Sequence, residues 1–228
     1  ISDLPGEALY LRDEITGKIW SPTPLPAGKD KDYLVTHGQG YTVFESYNQG
    51  FQQKMKLFTS PNSPVKVIEL SLINHAQEAR RITATYFIEW VLSSNRDSSK
   101  KMIVPDYDNA SGTLLARNPY SAEFPKHTAF LTSNQPVHGL TTDRGEFLGT
   151  PGDLHVPAGL RRIGLSGKVE TSVDGCAALQ SHLNFEPGET QTITFVLGEG
   201  KDIDQAKQLA QEFSNTEAIA NAWEQSQD

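Results

Sequence analysis

Alternating apolar and polar side chains mark β-strands over most of the chain, from about Ala8 to Leu197. In the stretch FQQKMKLFT (51–59), Phe51, Met55 and Leu57 fall on one face, while a glutamine and two lysines fall on the other. This period of two is typical of a half-buried strand. Gly, Pro and Asn punctuate these stretches, so the pattern predicts many antiparallel strands joined by turns.

The stretch RRITATYFIEWVL (80–92) is apolar on both of its faces near its end. Ile82, Tyr86 and Trp90 alternate on one face, and Phe87 and Val91 lie on the other. A strand covered on both sides indicates packed sheets rather than an open sheet. The predicted fold class is therefore all-β, a large antiparallel sandwich of two stacked sheets.

The periodicity becomes helical after about residue 200. Asp202 or Asp204 can serve as the first helix cap, and Ser214 with Glu217 has the spacing of a capping box for a second helix. The apolar stripe consists of Ile203, Ala206, Leu209, Ala210, Phe213, Ile219, Ala220 and Trp223. We therefore predict a sandwich domain over residues 1–200 and a helical linker over residues 201–228.

Charge and cysteine content narrow the function classes. The net charge of -8 argues against a nucleic-acid-binding or anionic-membrane surface. Cys176 is the one cysteine, so an internal disulfide is excluded and a reducing, cytoplasmic setting is favoured.

The most apolar stretch (82–92) is interrupted by Glu89 and is too short to span a bilayer, so we expect no membrane contact. The start, ISDLPGEALYL, does not look like a targeting sequence, and we expect the chain to be a piece of a longer protein.

The stretch THGQG (36–40) places a Gly-X-Gly step behind His37. A phosphate-binding loop would need a helix after it, whereas the stretch YTVFESY that follows is strand-like. We interpret Gly38 and Gly40 as a tight connection between strands, supplying a positive φ or a close backbone approach. His37 then caps a neighbouring group unless acid–base partners lie beside it.

The sequence offers little for hydrolytic or metal chemistry. Cys176 lies in DGCAALQ, which lacks the nucleophile-elbow pattern, and no Cys-X-X-Cys is present. DYDNASG (106–112) resembles a calcium loop, but Ala110 replaces an oxygen ligand and Arg117 stands where the twelfth-position Glu should be, so a turn is predicted. The carboxylates inside predicted strands are Glu45, Glu69 and Glu89. We expect them to be paired, for example with Arg80 or Arg81.

Several long stretches resemble glycoside hydrolase family 94, the inverting β-glucan phosphorylases and the cyclic β-1,2-glucan synthases. These stretches are YLRDEITGKIWSPTPLP, HGQGYTVFE, RRITATYFIEWVL, DNASGTLLARNPYSAEF, EFLGTPGDLHVPAGL and LSGKVETSVDGCAALQ. The combination of ARNPYSAEF with DGCAALQ is more similar to the β-1,2-glucan branch. Ser93 and the turn TPGD depart from the family pattern, which affects only the choice of subfamily.

The resemblance implies a galactose-mutarotase-like supersandwich placed before an (α/α)6 barrel, with the terminal helices as the connector. In that family the catalytic aspartate and the phosphate-binding residues belong to the barrel, so no catalytic residue, metal or cofactor is expected here. Inorganic phosphate would be a co-substrate of the parent enzyme. The implied partners are a β-glucan oligosaccharide, the downstream barrel and possible second copies in a homodimer. A synthase parent would be associated with the inner membrane.

Three functions stay open. The first is a noncatalytic sandwich that supports the barrel, the dimer and the rim of the active site. The second is an independent carbohydrate-binding module, in which exposed aromatics among Trp20, Tyr41, Tyr107 and Tyr120 would stack on sugar faces. The third is a mutarotase-like epimerase that uses a His and a Glu as acid and base.

The stretch ARNPYSAEF (116–124) is predicted to form a functional loop. Pro119 cannot donate to a sheet and therefore tends to end a strand. Arg117 can form paired hydrogen bonds, and Tyr120 offers a ring face, a combination suited to sugar hydroxyls or to a partner subunit. The structural alternative is an Arg117 buried against a strand carboxylate. The candidate carbohydrate-binding or interface residues are Trp20, His37, Gln39, Tyr41, Arg117, Asn118 and Tyr120.

Overall fold

Two stacked antiparallel sheets make up most of the chain in the computed structural model, which describes residues 6–28 and 31–227. The strands are β1 Glu7–Asp13, β2 Ile19–Trp20, β3 Tyr33–Gly38, β4 Tyr41–Asn48, β5 Phe51–Thr59, β6 Val65–Asn74, β7 Arg80–Glu89, β8 Val104–Asp108, β9 Thr113–Arg117, β10 Thr128–Ser133, β11 Val137–Asp143, β12 Gly175–Phe185 and β13 Thr190–Gly200. One sheet has the order β11-β12-β7-β1-β2, and the other has the order β3-β4-β5-β6-β13-β10-β9-β8. This confirms the predicted all-β, two-sheet fold class.

Short helices connect and cover the sheets. They are α1 Arg96–Ser99, α2 Arg144–Leu148, a 3-10 turn at Ala158–Arg161, α3 Ile203–Glu212 and α4 Thr216–Gln225. Within the described residues, no helix is long and apolar enough to cross a membrane.

Strand β7 lies at the centre of the smaller sheet, between β1 and β12. Tyr86, on one of its faces, belongs to the core between the sheets and stacks on Phe195 of β13 at 5.3 Å between ring centroids. Phe87, on the other face, stacks on Phe147 of α2 at 4.6 Å. Because both faces are covered, the strand is almost continuously apolar, as its sequence predicts.

The segment from α2 to the 3-10 turn covers the outer face of the smaller sheet. Phe147, Leu148, Leu160 and Leu165 form an apolar cluster there with Tyr10, Phe87 and Cys176. Cys176 is fully buried, and burial raises the pKa of its thiol well above the ordinary value. This cysteine is therefore a packing residue and not an activated nucleophile.

Helices α3 and α4 pack on the outer face of the larger sheet. Leu209, Phe213 and Ile219 cover an apolar patch that includes Phe58 and Phe130. The helical periodicity is confirmed except at Ala220, which is exposed, while Ala222 is buried in its place. That the helices lead into a further domain stays a prediction.

One predicted cap is right and one is wrong. Asp202 caps α3 by accepting a hydrogen bond from the N–H of Gln205. Asn215, not Ser214, caps α4, because its side chain accepts from the N–H of Glu217. The Ser214 hydroxyl instead donates to the carbonyl of Gln211 in the preceding helix, at 2.7 Å.

Candidate functional site

A cleft of about 1020 Å³ opens between the two sheets at one end of the sandwich. Its floor is apolar and is formed by inward-facing residues of both sheets, including Leu9, Met55, Ile68 and Leu197. Its rim is formed by strand ends and the turns beside them. Concave sites with an apolar floor and a few polar groups are the usual form of ligand pockets in proteins, which makes this end the candidate site.

The most enclosed polar group at the cleft is the hydroxyl of Tyr86. It donates to the Glu7 carboxylate at 2.6 Å, and Lys66 donates to the same carboxylate oxygen at 2.6 Å. Burial, followed by the charge of Glu7, raises the pKa of Tyr86 well above its ordinary value. Tyr86 therefore stays protonated at neutral pH, and its hydroxyl is a fixed donor at the wall of the cleft.

A second carboxylate, Glu89, lies at the end of β7 and also lines the cleft. Its side chain is 9% exposed and pairs with Arg96 at 2.9 Å and with Arg144. Glu89 is thus held by two guanidinium groups, an arrangement that fixes the strand end.

The expectation that strand carboxylates are paired is confirmed, but the suggested partners are wrong. Arg80 binds Asp13 and Arg81 binds Asn184, because the register of β7 places them at the opposite end of the sandwich from Glu89. Glu45 pairs with Lys54 at 3.2 Å and Glu69 with Lys56 at 2.8 Å. Each of these lysines is the residue directly opposite on the neighbouring strand. These carboxylates serve cross-strand pairing.

The Gly-X-Gly stretch is the turn of the β3–β4 hairpin, at the same end of the sandwich as the cleft. Gly40 has a φ of +83°, and a Cβ on Gly38 would lie 2.1 Å from the ring of Tyr41. The predicted tight connection and the positive φ are confirmed at Gly40, whereas Gly38 makes room for the Tyr41 side chain and not for a neighbouring backbone. His37 is exposed and its Nδ1 lies 3.0 Å from the Thr42 hydroxyl, so it bonds to its own hairpin.

Tyr41, the first residue after the turn of this hairpin, faces helix α4. Tyr41 packs edge-on against Trp223 of α4, with ring centroids 5.0 Å apart. Its ring is therefore engaged in packing, between Trp223 and Gly38 of its own hairpin. Gln39, at the tip of the turn, is exposed.

Trp20 is a core residue, which corrects its prediction as an exposed aromatic in a Pro-rich loop. Its side chain is 2% exposed, stacks on Phe51 at 6.4 Å, and donates through Nε1 to Gln53 Oε1 at 2.9 Å. The indole N–H finds a buried acceptor on β5, so the whole ring can leave water without an unpaired donor.

The ARNPYSAEF stretch forms an exposed loop over residues 118–127, at the other side of the cleft. Asn118 is buried and donates to the carbonyl of Leu92, a cleft-lining residue, at 3.0 Å. Its Oδ1 accepts from the N–H of Tyr120 at 3.1 Å. Asn118 is therefore an anchor, whereas Tyr120 (75% exposed) and Phe124 (52% exposed) are presented to solvent.

Arg117 is exposed and, among residues 6–28 and 31–227, forms no ion pair within 4.0 Å. The buried-Arg alternative is therefore wrong. Leu115 belongs to the cluster under the helices and Ala116 belongs to the inner core. Because strand side chains alternate, Arg117 lies on the outer, helix-bearing face of the sheet. It does not point into the cleft.

The hairpin and the loop lie on strands β4 and β9, five strand positions apart in the same sheet. At a strand spacing of ~4.8 Å the two are separated by about 24 Å. They flank the cleft from its two sides and do not form one compact site.

A histidine–carboxylate pair lies at the mouth of the cleft. His127 Nδ1 contacts Glu199 Oε1 directly, and both side chains are partly exposed. An acid and a base that open a sugar ring must reach two different oxygens of the substrate, whereas these two side chains bond directly to each other. This geometry does not favour the epimerase reading.

The DYDNASG stretch ends β8 and turns into β9, which confirms the predicted turn. Hydrogen bonds from Ser111 and Lys207 lower the pKa of Asp108 and occupy its carboxylate. In the part of the chain that the structure describes, no three His, Cys, Asp or Glu side chains converge as a metal site would require.

The family of this two-sheet domain is shown by its similarity to known proteins. The glycosyl hydrolase 94 supersandwich domain matches residues 1–216. The chain belongs to this family. It is 31% identical over 211 residues to the cyclic beta-(1,2)-glucan synthase NdvB of Rhizobium meliloti, covering 92% of this chain and 8% of that protein.

Phosphorylases are also similar to this supersandwich. N,N'-diacetylchitobiose phosphorylase of Vibrio furnissii is 26% identical over 206 residues, covering 87% of this chain and 26% of the relative. Solabiose phosphorylase of Paenibacillus borealis is 26% identical over 209 residues, covering 90% of this chain and 27% of the relative. The chain thus spans much less than two thirds of each relative's length.

Solved structures share the fold at low sequence identity. A bacterial glucoamylase complexed with acarbose superposes with a TM-score of 0.61 at 11% identity, covering 97% of this chain and 31% of that one. A polysaccharide lyase gives a TM-score of 0.51 at 10% identity, covering 90% of this chain and 27% of that one. These two likenesses support the supersandwich architecture alone.

Sequence reasoning did not find several groups at the cleft. Glu7, Lys66 and Tyr86 converge from three strands, and Phe124 and His127 project from the loop. Only the alternation of β7 carried a signal, since it assigned Tyr86 to the inner face. The contact between Glu7, Lys66 and Tyr86 depends on the register of three strands, which the sequence pattern does not predict.

Proposed function

We propose that this chain is the noncatalytic, carbohydrate-associated supersandwich of an inverting β-glucan phosphorylase or a cyclic β-1,2-glucan synthase. It supports a downstream (α/α)6 catalytic barrel and forms part of the active-site rim. Family membership over residues 1–216, with relatives that are several times longer than this chain, is the observation that carries the proposal. The 31% identity with the glucan synthase favours a β-1,2-linked glucan as the substrate of the parent.

The reaction of the parent would proceed with inversion, by attack of phosphate on the anomeric carbon while a carboxylic acid protonates the leaving oxygen. Both groups would belong to the barrel. Phosphate enters as a co-substrate, and the proposal requires no cofactor on this chain. The arginine-paired Glu89 and the Lys66-paired Glu7 support this division, because neither carboxylate is placed as a free acid.

The cleft end of the supersandwich is the surface proposed to face the rim. There the loop 118–127 presents Tyr120 and Phe124, and the hairpin presents His37 and Gln39. Exposed aromatic rings beside polar groups suit the apolar faces and hydroxyls of a glucan chain. Arg117, on the helix-bearing face, is suited to a contact with the barrel or with a second copy.

We place the chain in the cytoplasm, with association of the parent to the inner membrane if the parent is a synthase. The supersandwich is also proposed to take part in a homodimer of the parent. The fully buried thiol of Cys176 is compatible with a reducing compartment.

The experiment compares this chain with its longer parent. Each is incubated with phosphate and β-1,2-oligoglucosides, or with glucose 1-phosphate and an acceptor, while glucose mutarotation is followed in parallel. We expect the chain alone to show no phosphorolysis, no synthesis and no acceleration of mutarotation, and we expect the parent to be active. Turnover by the chain alone would overturn the division of labour, and accelerated mutarotation would favour the epimerase.

The role of the rim is tested by substitutions in the parent. Tyr120→Ala is expected to raise KM for the oligosaccharide several-fold with little change in kcat, because the ring binds without taking part in the chemistry. Arg117→Ala is also expected to raise KM, through loss of its proposed contact with the barrel. Glu123→Ala, in the same exposed loop, is the matched control. Unchanged kinetics in both test variants would remove the loop from the rim.

A further inference from the structure

The outer face of the smaller sheet is apolar at one end and polar at the other. Tyr10, Phe87 and Ala178 belong to the apolar cluster under the segment from α2 to the 3-10 turn. Because side chains alternate along a strand, the same face continues through every second residue, towards the end of the sandwich that lies opposite the cleft. This continuation, the polar patch, consists of Arg12, Glu14, Arg81, Thr83, His138, His182 and Asn184.

Strand register brings the members of the polar patch together. Arg12 lies directly opposite Thr83, and Thr83 lies directly opposite His182. In the next row Arg81 lies opposite Asn184, and its Nε donates to the Asn184 Oδ1 at 2.7 Å. The polar patch is therefore a compact surface on neighbouring strands.

Hydrogen bonds fix which nitrogen of each histidine carries the proton. The Thr83 hydroxyl donates to the Glu14 carboxylate, so the His182 Nδ1, which lies 2.9 Å from the same hydroxyl oxygen, is the donor to it. The His138 Nε2 lies 3.3 Å from the carbonyl of Ile163, which can only accept, so this nitrogen is a donor as well. The His182 Nε2 and the His138 Nδ1 are therefore the nitrogens that gain a proton when the rings become charged. In the described part of the chain neither of them has a hydrogen-bond partner.

The polar patch is locally positive although the chain has a net charge of -8. Arg81 is exposed and forms no ion pair with any described residue, so its two terminal amino groups stay available. Glu14 is the one carboxylate of the patch, and Arg12 already binds it at 2.8 Å. Burial and then His138 lower the pKa of His182, Arg81 and Arg12 act in the same direction, and Glu14 opposes them. Cationic groups thus dominate around His182, and a negative ligand would be stabilised there.

The two imidazole rings cannot easily become charged together. Their centroids are 3.7 Å apart, so two positive charges on them would repel each other. An anion bound beside the rings would offset this repulsion and would accept hydrogen bonds from the newly protonated nitrogens.

We propose that the polar patch is a binding site for a phosphate- or sulfate-type dianion, held by the terminal amino groups of Arg81 and by the protonated His138–His182 pair. The fork of donors on a guanidinium group matches the oxygens of such anions. Thr83 orients His182, and Arg12 holds the Glu14 carboxylate that accepts from Thr83. The site lies at the end of the sandwich opposite the cleft, so the proposal goes beyond the supporting role of the supersandwich and does not depend on it.

Sulfate is the first probe, because it stays doubly charged near neutral pH, so that any effect of pH comes from the protein. NMR titration of the imidazole C–H resonances, at constant ionic strength set with chloride, is expected to show sulfate binding about tenfold more tightly at about pH 6 than at about pH 8. The sign follows because a bound anion stabilises the charged rings, so binding takes up protons. By the same linkage, saturating sulfate should raise the midpoint of the His182 titration by about one pH unit.

Two variants separate the contributions. Arg81→Gln is expected to weaken sulfate binding about tenfold at both pH values, because the guanidinium is charged at each of them. His182→Gln is expected to weaken binding mainly at the lower pH and so to reduce the pH dependence, because the imidazole is neutral at the higher pH. Arg117→Gln, at an exposed arginine of the other sheet, and His75→Gln are the matched controls and should leave the affinity unchanged at both pH values.

A sugar phosphate distinguishes the two sources of the anion. Inorganic phosphate and glucose 1-phosphate are compared at the higher pH, where both are dianions. A site for the free ion is expected to bind the ester several-fold more weakly, whereas a site for the phosphate group of a larger molecule should bind it at least as tightly.

Absence of any sulfate-dependent shift in the His138 and His182 resonances at the lower pH would overturn the proposal. Equal weakening in Arg81→Gln and Arg117→Gln would show general screening of charge and no site. An affinity that is the same at both pH values in the wild-type chain would overturn the role of the histidine pair. Arg81 is exposed and His182 is only half-buried, so circular dichroism is expected to show every variant folded.

Discussion

The side-chain amide of Asn118 donates a hydrogen bond to the backbone carbonyl of Leu92, 26 residues earlier in the chain, at 3.0 Å. Leu92 belongs to the wall of the cleft, and Asn118 begins the exposed loop that carries Tyr120. The bond therefore fixes the loop to the end of the smaller sheet. An exposed aromatic side chain is thus displayed on an anchored support, which is the arrangement that a rim requires.

Replacing Asn118 with Ala is expected to destabilise the chain by about 1–3 kcal/mol, because it leaves the partly buried carbonyl of Leu92 without its donor. The N–H of Tyr120 loses its acceptor at the same time. Urea denaturation measures the change in the free energy of unfolding. Glu123→Ala, an exposed substitution in the same loop, should change it by less than about 0.5 kcal/mol. Equal effects of the two substitutions would show that Asn118 is not an anchor.

Gly38 and Gly40 are expected to tolerate alanine poorly for different reasons. At Gly38 the new Cβ would lie 2.1 Å from Tyr41, so the ring must move away from Trp223. At Gly40 the backbone has a φ of +83°, where a Cβ costs about 1–2 kcal/mol. Only Gly38→Ala should change the fluorescence of Trp223, which separates displacement of the ring from backbone strain. Gly6→Ala, where no atom of the described residues lies within 4 Å of the new Cβ, is the control.

The strands and helices could be predicted because their burial follows simple periods. Phe51 and Met55 on β5, and both faces of β7, were assigned correctly from alternation alone. The cap of α4 was missed because Ser214 and Asn215 are adjacent and both can cap a helix. Local competition between two such side chains is decided by backbone geometry, which a sequence pattern does not contain.

The candidate site was much harder to predict than the fold. The indole N–H of Trp20 donates to Gln53, 33 residues away. The residues next to Trp20 in the sequence do not predict that its ring is buried. Glu7 lies 59 residues from Lys66 and 79 residues from Tyr86. These contacts exist only because strand order and register bring the residues to one edge. The family resemblance supplied the role of the domain but not these contacts.

The stability of the chain is expected to fall as the pH drops below about 6.5, the ordinary pKa of histidine, in part because of His182. Burial lowers the pKa of His182, as does His138, whose ring is tilted against it with centroids 3.7 Å apart. Arg81 and Arg12 act in the same direction and Glu14 opposes them. Below pH 6.5 the unfolded chain therefore binds more protons than the folded chain, so the free energy of unfolding decreases with falling pH.

The variant His182→Gln should reduce this slope, measured by urea denaturation at a series of pH values between 5 and 8. His75→Gln, at an exposed histidine beside Gln52, is the matched control and should leave the slope unchanged. If the slope persists in His182→Gln and disappears in His75→Gln, the assignment of the pH dependence to His182 is wrong.

Trp223 is expected to be the residue that holds α4 on the sheet. Its ring packs edge-on against Tyr41 and Phe58 at 5.0 and 5.2 Å, and the Lys56 ammonium lies 4.9 Å from its centroid. Trp223→Ala removes these contacts, and we expect α4 to detach locally at a cost of about 3 kcal/mol, the low end for a large aromatic. Amide hydrogen exchange should then become fast in residues 216–225 while α3 stays protected, because α3 packs through Leu209 and Phe213. Glu224→Ala, exposed on the same helix, should leave the exchange unchanged. Protection of α4 in Trp223→Ala would show that Ile219 and Ala222 hold the helix without the indole.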